Sequence, residues 1–290
     1  MVVKKYKDIA AGYFGKLPAF NDFIKFNSGL PEVLFIDKWI QDGLADARLK
    51  LKTSWKEKYE TLPPTSFYIP FHSSGRAAVG IIYSSYDKSG REFPLVVFSV
   101  MPLKHFCSLH LVPAMLKEIL VSLDYYTRKE ENLNDLNLAL KNFDPEYINE
   151  DTLSRSFHEF LSSTSLNSFT GGTGISASYV NSIPPSSSDS SGIRISLNSD
   201  ESKISFDIAV FLKMLNHKLN LSTGHTSIFW NKKGEGHFDV MIFPLKPGMV
   251  SFIDLISPNP EDTRIINIPP GEEGSLSESD ASTESILSFL

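Results

Sequence analysis

Gly171-Gly172-Thr173-Gly174 is the stretch of this chain whose residue types best suggest a phosphate cradle, because backbone amides of a glycine-rich turn opening a helix can converge on an anion. The match stops there. No Gly-Lys-Ser/Thr ending closes it, no dinucleotide-binding spacing surrounds it, and no periodic helix follows it directly. A small-molecule or phosphoryl-transfer enzyme using Gly171 to Gly174 is therefore the alternative reading. The seven histidines fare no better. His105 and His110, five apart, are expected on divergent helix faces, whereas zinc wants partners three or four apart with a carboxylate or thiolate beside them. His225 and His237 flank a strand and could meet across a hairpin, but read by default as surface or turn residues. No Gly-x-Ser-x-Gly elbow is present, and the carboxylates are scattered without an aromatic-lined motif. The sequence thus assigns no catalytic residue, no cofactor and no metal site.

The single cysteine, Cys107, forbids an internal disulfide and a Cys-rich zinc site, which fits a reducing, cytoplasmic setting. Beside Phe106 and an apolar run it is expected to be a small core residue and not a nucleophile. With 41% hydrophobic residues in 290, the chain can bury a sizeable core, so wholesale disorder is excluded. The net charge of −6 comes with only a mild basic bias in the first 60 residues. No concentrated basic face argues for nucleic acid. Met1 to Lys7 lacks the apolar core of a secretory signal, and no window approaches a membrane span, so export by that route and membrane insertion are not expected.

The most informative residues lie elsewhere. Gly12-Tyr13-Phe14-Gly15-Lys16-Leu17-Pro18-Ala19-Phe20-Asn21-Asp22-Phe23 sets two glycines, a proline and a Lys/Asp pair among aromatics. That composition predicts a tight, backbone-driven turn packed on a core, better suited to an interaction scaffold than to a substrate cleft. A second stretch, Asp87-Lys88-Ser89-Gly90-Arg91-Glu92-Phe93-Pro94-Leu95, reads as a hairpin connection, with Asp87 able to cap the turn and Gly90 supplying positive φ. Gly15, Pro18 and Gly90 are explained by backbone geometry, and Gly12 stands with them as a signature residue of interaction or structure. Lys16 and Asp22 are expected either to satisfy each other and nearby backbone or to form a binding edge. Asp87 and Arg91 are expected to pair across their turn and, if the two loops meet, to share a surface with Lys16.

Positioning these loops requires a mixed α/β framework, of the α+β type: a largely antiparallel sheet with helices packed on it. Ile36, Ile40, Leu44, Ala47, Leu51 and Trp55 recur at helical spacing, predicting one helix that runs until Pro63-Pro64, with Trp39 and Trp55 in the core. Phe67 to Phe71, Ala77 to Ser85 and Glu92 to Met101 read as strands, the last two as a hairpin. Helices are expected over Leu109 to Glu131, Leu133 to Phe143 and from about Asp151 through Leu161. Residues 162–192 form a Ser/Gly/Pro-rich loop. Strands are predicted at Ile193 to Leu197, Lys203 to Phe206, Thr226 to Trp230 and Phe238 to Phe243, with a helix from Ile208 to Leu219 stopped near Gly224. Val250 to Ile256 fits strand or helix. Residues 1–270 are expected to form one domain, and 271–290 a disordered acidic tail.

The two motifs together, with the intervening helix carrying Trp39 and Trp55 and a weaker echo in Ser227-Ile228-Phe229-Trp230 and Phe243-Pro244, resemble the TagF family of type VI secretion-associated proteins. The resemblance covers roughly residues 10 to 130. It implies a cytoplasmic accessory or regulatory protein, not an enzyme, that restrains assembly or firing of the contractile secretion machine after translation. It further implies a type VI secretion component as partner, in some bacteria a forkhead-associated scaffold protein. Ala19-Phe20-Asn21 departs from the family pattern, which expects smaller or more polar residues there. The phosphatase fused to this domain in some relatives has no counterpart in the chain.

Overall fold

Side chains alternate across the central strands, and each side meets its own apolar layer. In β4 (Thr65–Phe71), Phe67, Ile69 and Phe71 join one core while Tyr68 joins the other. In β6 (Leu95–Pro102), Val96, Phe98 and Val100 face the first core, and Leu95 and Val97 the second. Both faces are buried, so these strands read as continuous apolar runs, and helices must cover them on two sides. The computed structural model describes residues 4–5, 8–129, 132–147, 150–173, 192–244, 247, 249–257, 265–268 and 286.

Nine strands form one sheet in the order β11-β8-β10-β9-β4-β5-β6-β2-β3. The members not yet placed are β2 (Ala10–Gly15), β3 (Ile24–Phe26), β5 (Arg76–Tyr83), β8 (Gly192–Asn198), β9 (Ser227–Gly234), β10 (His237–Phe243) and β11 (Ile265–Ile268). All pairings are antiparallel except that of β11 with β8. A separate two-stranded ladder joins β1 (Lys4–Lys5) to β7 (Glu146–Tyr147). The fold is therefore the mixed, largely antiparallel α+β sheet that the sequence predicts.

One face carries α1 (Pro31–Leu51), α2 (Trp55–Glu60) and α8 (Met249–Ile256). The other carries α3 (Val112–Lys129), α4 (Leu133–Lys141), α5 (Glu150–Ser163), α6 (Leu166–Thr173) and α7 (Ile204–Leu219). Met115, Ile119 and Leu123 form the buried stripe of α3, as their spacing requires. Trp39 of α1 packs 5.5 Å from Phe229 and 5.2 Å from Phe252, ring centroid to centroid, so both halves of the chain meet beneath it. Among the described residues no helix is long and apolar enough to cross a membrane.

Several expectations need correction. The helix from Ile36 does not run unbroken through Trp55. It ends at Leu51, Lys52 takes φ 46°, and a short 3-10 turn leads into α2. The break preserves the apolar spacing, so periodicity alone could not reveal it; it swings the Trp55 indole N–H onto the Glu92 carboxylate at 2.6 Å. Lys203 to Phe206 is not a strand. Ile204, Ile208, Phe211, Leu212 and Leu215 continue one buried helical stripe, and the helix stops at left-handed Asn220 (φ 48°) and not at Gly224. Val250 to Ile256 is helical. The first glycine motif is half strand: Ala10–Gly15 lies in the sheet, and the turn begins only after it. Cys107 is exposed, because it sits in the link after a 3-10 turn at Leu103–His105 while Phe106 takes the core position. Within the expected loop at 162–192, residues Leu166–Thr173 are helical, and 174–191 lie outside the described residues. The acidic tail lies outside them too, except Ile286, which is buried and donates its amide to Thr164 O at 3.1 Å.

Candidate functional site

The antiparallel pairing of β2 with β6, and of β6 with β5, brings the end of the first motif beside the turn that opens the second. Chain entry and exit are fixed locally. Leu17 to Phe20 closes a turn with Pro18 inside it, through the Phe20 amide on Leu17 O at 3.0 Å. Asp87 to Gly90 closes another at 2.8 Å, with Gly90 at φ 80°, the left-handed value glycine accepts freely. Lys88 N then donates to Phe20 O at 2.8 Å and ties the two turns together.

Asp87 is the centre of the joint. Its side chain is 0% exposed. One carboxylate oxygen accepts from the amides of Ser89 and Arg91, both at 3.0 Å, and from the Ser89 hydroxyl at 2.7 Å. The other takes Arg91 Nε at 2.7 Å and Lys16 Nζ at 3.0 Å. Burial pushes this carboxyl upward, but the hydrogen bonds from Ser89, the Arg91 amide, Lys16 and the Arg91 side chain outweigh it and hold it well below the usual carboxylate range. The cations are used again. Lys16 Nζ donates to Arg91 O at 3.2 Å, and Arg91 Nη2 to Asn21 O at 2.7 Å.

Lys16 and Asp22 therefore do not satisfy each other. Lys16 belongs to Asp87, while Asp22 is 95% exposed and lies 3.7 Å from Arg91. The expected Asp87/Arg91 pair forms, but around a sequestered anion and not as an exposed contact. Gly12 sits mid-strand in β2 opposite Phe98 of β6, and Gly15 ends that strand. Lys16, Asp87 and Arg91 thus meet in one place, which sequence alone left open.

Sequence reasoning missed the layer beneath. Tyr59, 1% exposed, donates its hydroxyl proton to Ser85 O at 2.9 Å and accepts from Ser85 N at 3.1 Å. Ser85 Oγ in turn donates to Lys16 O at 2.7 Å. Glu92 accepts from Trp55 and from Arg48, whose guanidinium lies 5.2 Å from the Trp55 ring centroid. An available signal was Glu92 itself, a carboxylate inside the second motif with no use in the hairpin. Tyr59→Phe deprives the buried Ser85 amide of its acceptor while Ser85 O keeps the Phe93 amide at 3.1 Å, so urea denaturation is expected to show a loss of about 1–2 kcal/mol.

Outside the hub, the chemistry-bearing residues scatter. His72 stacks on His225 at 4.9 Å, and His237 pairs with Asn198 at 2.6 Å, so His225 and His237 do not meet. Burial, with the charge of Lys213, lowers His110. A hydrogen bond to the Glu150 carboxylate and burial raise the Cys107 thiol, the opposite of activation. Among the described residues no group of three or more His, Cys, Asp or Glu side chains can hold a metal ion. Gly171 and Gly172 lie near the C-terminal end of α6, where helix carbonyls repel a phosphate; Gly174 is outside the described residues.

No curated protein matches the chain. The crystal structure of PA0076 from Pseudomonas aeruginosa PAO1 shares the fold, with a TM-score of 0.50 at 18% identity over 87% of this chain and 96% of that one. Residues 12–133 match the TagF N-terminal domain, described as type VI secretion system-associated. That span holds both motifs, α1 to α3 and every residue of the Lys16–Asp87–Arg91 joint. Residues 12–133 of this chain are thus similar to a TagF N-terminal domain, a domain described as type VI secretion system-associated.

Proposed function

We propose that this protein is a cytoplasmic, non-enzymatic regulator that restrains assembly or firing of a type VI secretion machine after translation by binding one of its components, with a forkhead-associated scaffold protein as the expected partner. The observation that carries the reading is how the hub divides its groups. Its central anion is fully consumed inside, with five donors on Asp87, so that this carboxylate does not face solvent. Its outer rim is presented to solvent. Phe23, 39% exposed, leans on Phe14 and Phe93 at 6.3 and 5.1 Å, beside exposed Asp22, Tyr86 and Arg91. An aromatic anchor flanked by both signs of charge, held by a rigid base, is the composition of a protein-binding hot spot.

The test is co-purification from cells carrying the secretion cluster. A Phe23→Ser/Asp22→Arg double variant is expected to lose the secretion component, by about tenfold or more in retained amount, and to release secretion while melting like the wild type. Unchanged capture and unchanged secretion by that folded variant would remove this rim from the function.

A further inference from the structure

On the opposite side of the sheet, the end of α5, part of α6, the turn after β8 and the start of α7 line a cleft of about 540 Å³. Phe160 and Phe169 contribute aromatic wall, and Ser163, Thr164, Ser168 and Ser199 contribute hydroxyls. Asp207, from the first turn of α7, lines it although the residue is only 6% exposed. Its hydrogen bond runs to a neutral group, Ser199 Oγ at 2.5 Å. Burial pushes its carboxyl up to about 6 despite that bond and the charge of Lys203. An ionised Asp207 therefore opposes folding at neutral pH, a burden that an asparagine of the same shape would not impose. A buried carboxylate that opens onto a cleft of ligand size is the kind of group ligand sites employ.

The sign of the ligand follows from the lining. Among the described residues the charged side chains on this cleft are Asp200, Lys203 and Asp207. Asp200 is already engaged by the Ser202 amide and hydroxyl, each at 2.7 Å. An anion would confront the buried carboxylate, and a neutral molecule would leave it with only the Ser199 hydroxyl and the charge of Lys203. A cation would complete it, with its carbon chain against the two phenylalanines. We infer that this cleft binds a ligand bearing a primary ammonium group, which docks on the Asp207 carboxylate while its polar substituents meet the serine and threonine hydroxyls. The site is independent of the proposed docking rim.

The chemistry is shared by a lysine side chain of a partner peptide and by a free amine such as an amino sugar, and the probes separate them. The full chain is titrated at pH 7.5 with n-butylammonium, Nα-acetyl-lysine methylamide, glucosamine and neutral n-butanol, followed by NMR shifts of α6 and α7 amides. Butylammonium is expected to saturate at millimolar concentration, with butanol at least about tenfold weaker. Tighter binding of the lysine derivative indicates a basic peptide, and tighter glucosamine an amino sugar. Asp207→Asn should abolish the preference for the amine over butanol while melting no lower than the wild type at pH 8. For the wild type alone, amine affinity should fall between pH 7.5 and 5 as Asp207 takes up a proton, whereas Asp200, the other carboxylate on the cleft beside Lys203, is held below its ordinary range by Ser202. Equal binding of butanol and butylammonium, an unaltered preference in Asp207→Asn, or no saturable binding of any amine overturns the inference.

Discussion

Gly15→Ala is expected to be the most damaging single methyl added to this protein, costing roughly 4 kcal/mol or more and leaving little folded material at 37 °C. Gly15 has φ 132°, and a Cβ there would lie 2.1 Å from the Pro94 carbonyl oxygen and 2.8 Å from Leu95 Cα. Both obstacles are backbone, so no side chain can rotate out of the way, and the conformation itself is one that L-residues avoid. The glycine of the first motif is thus required by the Phe93-Pro94-Leu95 end of the second. Yield of soluble protein and urea midpoint measure the effect. Gly90→Ala is the internal comparison, since the added methyl would meet nothing within 4 Å and only the φ of 80° is unfavourable. A Gly15→Ala protein as stable as Gly90→Ala would mean that the close approach is relieved by a shift of the whole turn.

Asp87→Asn is expected to have the next largest effect, lowering the melting temperature by several degrees at pH 7. The substitution keeps the shape but turns one acceptor into an NH₂, facing either both Arg91 Nε and Lys16 Nζ or the Ser89 and Arg91 amides, so like donors meet where a charge had gathered them. The pH dependence supplies a sharper readout. Because the folded carboxyl lies below its unfolded value, its contribution is complete above about pH 4 and disappears as the pH falls from there through the folded pKa. The gap between wild type and variant should therefore be full at neutral pH and close in strong acid. Parallel stability curves down to pH 2 would show that Asp87 does not anchor the joint through its charge. Lys16→Met should be milder, since Asp87 retains Ser89 and Arg91.

Much of this is legible in the chain. The β5/β6 hairpin, the α3 stripe and the β9/β10 hairpin follow from period and turn residues, and both motifs stand out by composition. What escapes is set by tertiary partners. Nothing local tells Lys52 to break α1, because the reward is the contact between Trp55 and Glu92, 37 positions away. Ile204 to Phe206 is too short an apolar run to declare its period until the rest of α7 is added. Lys16 and Asp22 are near in sequence and opposite in sign, which favours pairing them; the choice of Asp87 depends on a strand register that only the sheet establishes. Cys107 reads as a core residue from its apolar surroundings, yet its neighbour Phe106 claims the interior. Asp207 gives no signal, since a lone aspartate early in a helix is ordinary and its cleft is assembled from three distant segments.

The strand order has a practical corollary for anyone handling pieces of this molecule. Strands from residues 12–133 occupy one continuous side of the sheet, and β4 zips onto β9 of the later segment through four residue pairs, Thr65 with Asn231 to Tyr68 with Ile228. A fragment cut at residue 133 would leave β4 as a raw hydrogen-bonding margin and strip Trp39 of Phe229 and Phe252, inviting self-association. The stretch that matches the family model shares its sheet with the later strands, so grafts or truncations should carry those strands with it.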